Sequence, residues 1–127
     1  MHNYTPDLDG PLVLVVDDDP SVRKALGRLL RSAGLEVKVF ASASELLAFE
    51  RPLQPSCLVL DLHLPDMDGL ELLRRVVATA PDLPVVILTG ERDPGMRTRV
   101  LQEGARSFLT KPCEGSLLLE EVRRLLV

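Results

Sequence analysis

Asp17, Asp18 and Asp19 follow the apolar run Leu12 to Val16, and Asp61 follows Cys57 to Leu60. Thr89 follows Val85 to Leu88, and Thr110 and Lys111 follow Ser107 to Leu109. Acids, a hydroxyl and an ammonium delivered to one crevice suit a hard divalent cation and a phosphoryl group. Oxygen-only ligands favour Mg²⁺, with Mn²⁺ or Ca²⁺ able to substitute, over zinc or copper. Mg²⁺ keeps several waters and usually takes one or two carboxylates plus a phosphate oxygen, so phosphate would complete such a site. Lys111 offers a compact positive charge and Thr89 a hydroxyl donor, both suited to the oxygens of a transferring phosphoryl group. A carboxylate can attack phosphorus and hold the group as an acyl phosphate. Asp61 is the candidate acceptor, because its run is central and has neighbours on both sides. Asp17 and Asp18 then hold the metal.

Helix capping is the alternative for each acid. It accounts for Asp19 and Asp68. It does not account for three adjacent aspartates, since one helix N-terminus uses one cap. Asp61 is followed by Leu62, His63, Leu64 and Pro65, which is no helix start. Carboxylates within a few ångströms repel by about 4 kcal/mol per pair at an effective dielectric near 20. A cation in the gap removes that penalty.

The elements that must position these groups alternate strand and helix five times. Leu12 to Val16 is continuously apolar, as in a strand covered on both faces. Asp19 and Pro20 open a helix to Ala33, whose apolar arc is Val22, Ala25, Leu26, Leu29, Leu30 and Ala33, with Gly34 as its stop. Leu35 to Phe40 alternates, with Leu35, Val37 and Val39 against Glu36 and Lys38, which marks a half-exposed strand near an edge. Ser42 and Glu45 form a capping box for a short helix to about Glu50. Cys57 to Asp61 is the third strand. Asp68 caps a helix over 69–79, with Glu71 at the reciprocal position. Val85 to Leu88, a helix over 94–103, a strand over 106–110 and a helix over 114–127 complete the series. Leu117 and Val127 fall off the last helix's apolar arc, which favours a partner surface, with a frayed terminus as the equal alternative for Val127. Helical crossovers of this length imply a parallel sheet. The order 2-1-3-4-5 puts the alternating strand at an edge and brings Asp17, Asp18 and Asp61 to the switch point, where such folds bind ligands.

The 127 residues suit one domain over 11–127 after a polar tail over 1–10. A hydrophobic fraction of 46% argues against disorder, and 3% aromatics leave the core to Leu, Val, Ala and Ile. A net charge of −4 argues against nucleic-acid binding by this domain. Cys57 and Cys113 suggest no disulfide framework, and a reducing cytoplasm is the expected setting. Met1 to Gly10 lacks the basic and apolar regions of a signal peptide, and no run reaches the roughly 20 residues needed to span a bilayer. His2, Met67 and the cysteines carry no evident chemistry, and the His63 side chain is expected to face solvent.

Four pieces together resemble the receiver domain of bacterial two-component response regulators. They are Val15-Val16-Asp17-Asp18-Asp19-Pro20, Leu60-Asp61-Leu62-His63-Leu64-Pro65-Asp66-Met67-Asp68-Gly69, Leu88-Thr89-Gly90 and Phe108-Leu109-Thr110-Lys111-Pro112. The resemblance covers nearly the whole chain and implies a flavodoxin-like, doubly wound α/β fold with five parallel strands and five helices. It implies that Asp61 takes phosphate from a histidine kinase or a histidine phosphotransfer protein. It also implies that Asp18, Asp61 and the His63 main-chain carbonyl bind Mg²⁺, with Asp17 acting through water. Thr89 and Lys111 would hold phosphoryl oxygens, and Lys111-Pro112 would be cis. Phe108 stands where many relatives have a Tyr that couples to the threonine; it either switches through packing or is a static buried ring. The module would be a phosphoacceptor switch rather than an enzyme, acting through the surface of the fourth helix, fifth strand and fifth helix. Its target would be an output domain, a downstream protein or a phosphorylation-dependent homodimer. The last motif is similar to receivers fused to helix-turn-helix transcription factors. Two rivals use the same residues less well. A haloacid-dehalogenase-type phosphohydrolase would need a second aspartate where His63 stands. A phosphorylation-independent interaction module would not need acceptor, metal ligands, threonine and lysine together.

Overall fold

The computed structural model describes residues 10–126; the segment 1–9, including His2, and Val127 lie outside the described residues. The elements are β1 (Leu12–Val16), α1 (Pro20–Ser32), β2 (Glu36–Phe40), α2 (Ala43–Ala48), β3 (Ser56–Leu60), α3 (Gly69–Thr79), β4 (Val85–Thr89), α4 (Pro94–Gln102), β5 (Ser107–Thr110) and α5 (Gly115–Leu126). The five strands form one parallel sheet in the order β2-β1-β3-β4-β5. Pleating sends alternate residues to opposite faces. Leu12, Leu14, Val16, Leu58, Leu60 and Ile87 pack with Leu46, Leu72, Leu73, Val76 and Val100, under α2, α3 and α4. Val13, Val15, Cys57, Val59, Val86 and Leu88 pack with Leu30, Leu118 and Val122, under α1 and α5. Strands covered on both faces have no polar side, and for that reason β1, β3 and β4 read as unbroken apolar runs.

Helix starts follow the capping chemistry. Asp19 accepts from the Ser21 N–H, Asp68 from the Leu70 N–H and Asp93 from the Gly95 N–H. Gly34, at φ +86°, takes the left-handed turn that ends α1, a conformation strained for side-chain-bearing residues. Two capping boxes are altered. Glu45 accepts from the Ala41 N–H, one residue before the cap, and Glu71 pairs with Arg75 one turn on.

The structure corrects several sequence expectations. α2 stops at Ala48 rather than near Glu50: Phe49 turns extended and packs its ring at a tilt against that of Phe40, with centroids 5.3 Å apart. Val39 does not share Val37's burial: it is 38% exposed while Phe40 is buried. β2 is an edge strand, and its odd-numbered face is covered at Val37 only. In α1, Ala25 is exposed and Gly27 is buried. The Arg31 guanidinium lies over Gly27, and a Cβ there would meet its Nη1 at 2.8 Å. Leu117 is exposed, as the helical arc of α5 predicts. No helix among the described residues is long and apolar enough to cross a membrane.

Candidate functional site

Strand register assembles the site. Val16 pairs with Leu60, so Asp17 and Asp61 leave adjacent strands side by side, and the Asp61 N–H donates to Val16 O at 3.0 Å. Thr89 pairs with Thr110 across β4 and β5, and the Lys111 N–H donates to Thr89 O at 2.8 Å. The Lys111-Pro112 peptide is cis, as the resemblance implies.

Asp61 is 5% exposed and fully engaged. Its Oδ1 accepts from Thr89 Oγ1 at 2.9 Å and from the His63 N–H at 3.2 Å, and its Oδ2 accepts from Lys111 Nζ at 3.0 Å. Lys111 Nζ also donates to Asp17 Oδ2 at 2.7 Å, while Asp17 Oδ1 accepts from the Asp19 N–H at 3.0 Å. Thr89 is completely buried, so its hydroxyl meets only protein groups. Asp18 is exposed, yet one carboxylate oxygen from each of Asp17, Asp18 and Asp61 lies within 4.8 Å of the others.

Burial pushes the Asp17 carboxyl pKa up, and the Lys111 hydrogen bond only partly offsets this. Burial alone would pull the Lys111 ammonium down, but its hydrogen bonds to Asp17 and Asp61 outweigh that and hold it above its usual value. The two shifts agree physically: one partly exposed ammonium is shared between two buried carboxylates, so it offsets the burial of Asp17 only in part. Three carboxylates against one lysine leave a formal charge of −2. An all-oxygen donor set with that deficit fits a hard divalent cation held by Asp17, Asp18 and Asp61.

His63 meets its expectation in part. Its main chain lies at the site through the N–H on Asp61, and its side chain is 61% exposed, but Nε2 stands 2.9 Å from Glu91 Oε1. The imidazole contact holds the Glu91 carboxyl below its usual pKa. Phe108 takes no part in the carboxylate network. It is half-buried against the core, with the Arg97 guanidinium 6.0 Å from its ring centroid. Both cysteines are free, and burial pushes the Cys57 thiol up to about 12, which leaves it inert.

Four polar residues were assigned no contact at the site by the sequence reading. Arg23 donates to Asp17 O at 2.8 Å from the first turn of α1, a reach that six-residue spacing could have suggested. Glu91, Arg92 and Arg97 bind across loops, where sequence spacing carries no signal. Arg92 Nη2 donates to Lys111 O at 3.3 Å.

Comparison with known proteins agrees with this geometry. A model of the response regulator receiver domain matches residues 13–123. The chain is 40% identical over 114 residues to the C4-dicarboxylate transport transcriptional regulatory protein DctD of Rhizobium meliloti (strain 1021), covering 90% of this chain and 25% of that protein. It is 38% identical over 112 residues to the transcriptional regulatory protein FixJ of the same strain, covering 88% of this chain and 55% of that one. The chain therefore spans a quarter to about half the length of these relatives. A receiver domain protein (CheY-like) from Methanospirillum hungatei JF-1 has the same fold, with a TM-score of 0.85 and 29% identity over 93% of this chain and 94% of that one. A parallel five-stranded sheet that gathers Asp17, Asp18, Asp61, Thr89 and Lys111 at one edge, together with these matches, makes this chain a receiver domain of the two-component response regulator family.

Proposed function

We propose that Asp61 is the phosphoacceptor. The observation that carries this is the set of donors already on its carboxylate, Thr89 Oγ1, the His63 N–H and Lys111 Nζ. They are the groups that a phosphoryl on Asp61 would meet. The donor phosphohistidine belongs to a histidine kinase or a histidine phosphotransfer protein. A carboxylate oxygen of Asp61 attacks phosphorus, the phosphorus–nitrogen bond breaks, and the imidazole leaves and takes up a proton. Bound at Asp17, Asp18, Asp61 and the His63 carbonyl, Mg²⁺ would neutralise charge on the phosphoryl oxygens; Mn²⁺ or Ca²⁺ has the same ligand preference.

The domain acts once per phosphoryl group, as a switch that aids its own phosphorylation rather than as an enzyme with a separate substrate. Phosphoryl oxygens carry more charge than the Asp61 oxygen that now accepts from Thr89, so the hydroxyl turns toward them. The Glu91 N–H, donating to Thr89 Oγ1 at 3.3 Å, brings the loop before α4 along. Phe108 and the surface of α4, β5 and α5 then carry the change to an output domain, a downstream protein or a second phosphorylated copy. DctD and FixJ are named as transcriptional regulators, which supports control of transcription in the cytoplasm by a longer protein.

Acetyl phosphate with Mg²⁺, followed by intact-mass measurement, tests the acceptor. Wild type gains one phosphoryl group that is labile to base, and Asp61→Ala gains none. Equal labelling of the variant refutes the assignment.

A further inference from the structure

Arg97 holds Phe108 at two points. Its Nη1 donates to Phe108 O at 3.2 Å, and its guanidinium lies 6.0 Å from the centre of the same residue's ring. A planar guanidinium can stack on an aromatic face while donating in its own plane, which suits it to gripping backbone and ring together. The ring lines an open cavity of about 560 Å³ between α4, β5 and the start of α5, with Arg97, Leu109 and Leu117 beside it. The helix that carries Arg97 is lightly anchored: Val100 is its one buried residue among those described, helped by partly buried Met96. Elements with so few buried apolar contacts shift most readily. The stacking contact exists only while the ring stays on the cavity side.

We propose that Arg97 is a positioning residue that latches Phe108 in its cavity-lining arrangement and so sets the ratio of off to on states before phosphorylation. The latch rests on the reading of Asp61 as acceptor and adds the restraint that phosphorylation must overcome. Thr89 drawn toward a phosphoryl group vacates space on the inner side of β5. The Phe108 ring moves into that space, loses Arg97, and frees the guanidinium at the rim of the cavity. A surface cation–aromatic contact and one exposed hydrogen bond together bias such an equilibrium by about three- to tenfold.

Fluorine NMR tests the latch. The chain has three phenylalanines, so 4-fluorophenylalanine gives three signals, and Phe108→Leu identifies the relevant one. Wild type, Arg97→Gln and Arg97→Lys are compared with and without beryllium fluoride plus Mg²⁺, a stable mimic of aspartyl phosphate. Phosphorylation by acetyl phosphate is followed by mass in parallel. The wild-type Phe108 signal is expected to move on adding beryllium fluoride. Arg97→Gln should move part of the way without it, raising the on-to-off ratio about three- to tenfold, and Arg97→Lys should fall between. An Arg97→Gln signal matching wild type under both conditions, in protein that phosphorylates normally, overturns the latch and leaves Asp61 in place. Lower thermal stability with an unmoved signal marks a merely structural contact and also overturns it. Failure of wild type to gain phosphate removes the acceptor, and the latch with it.

Discussion

Thr89 concentrates the residue-scale argument. Its buried hydroxyl donates to Asp61 and accepts from the Glu91 N–H, so one atom joins the acceptor to the loop before α4. Thr89→Ala removes both bonds and leaves a buried polar group short of a partner, which costs about 1–3 kcal/mol in stability. The variant is expected to take up phosphate, since Asp61, Lys111 and the carboxylates remain. The change that beryllium fluoride induces in the Phe108 signal should disappear. A variant that labels and switches normally removes Thr89 from the pathway. Asp17, Asp61, Thr89 and Lys111 were legible in the sequence because each ends an apolar run, and the edge of a parallel sheet gathers such ends. Glu91 and Arg97 were not, because their partners His63 and Phe108 lie on other elements, and spacing along the chain does not reveal contacts between elements.

Between residue and fold, the β3–α3 loop ties two elements to the site. Gly69 opens α3 so close to the preceding loop that a Cβ would collide with the Leu62 backbone, which has no freedom to yield. Gly69→Ala therefore destabilises by about 1–3 kcal/mol, seen as a lower urea midpoint at unchanged slope. Three residues earlier, Asp66 accepts from the Ala43 and Ser44 N–H groups at 3.0 Å each and so caps α2 from a distant loop. The Ser44 N–H bond leads in holding the Asp66 carboxyl below its ordinary 3.8. An acid whose folded pKa is depressed stabilises the fold above its unfolded pKa and loses that contribution as pH falls through the folded value. The stability gap between wild type and Asp66→Asn should thus close as urea titrations move below about pH 4. A gap independent of pH would deny the charge a role. Local spacing marks Ser42 and Glu45 as the start of α2, but a cap supplied from another loop leaves no local trace. Val39 failed for a related reason: alternation predicts which face a residue joins, not whether a helix covers it.

For the whole molecule, the sheet order and both core faces were readable, because doubly covered strands leave uninterrupted apolar runs such as Leu12–Val16. The same architecture makes stability answer to the cation. Binding to the folded state alone stabilises it by about 2.7 kcal/mol at a hundredfold excess over Kd. Millimolar Mg²⁺ should raise the melting temperature of wild type by several degrees and that of Asp18→Asn far less. An identical rise in both would place the ion elsewhere. Among the described residues Val100 is the one buried side chain of α4. Apart from Val100 and half-buried Met96 the positions of that helix are exposed, and substitutions at exposed positions mostly change stability by less than about 0.5 kcal/mol. Duplicated copies of such a domain can diverge in whom they address through α4 while keeping identical chemistry at Asp61, which insulates parallel signalling lines within one cell.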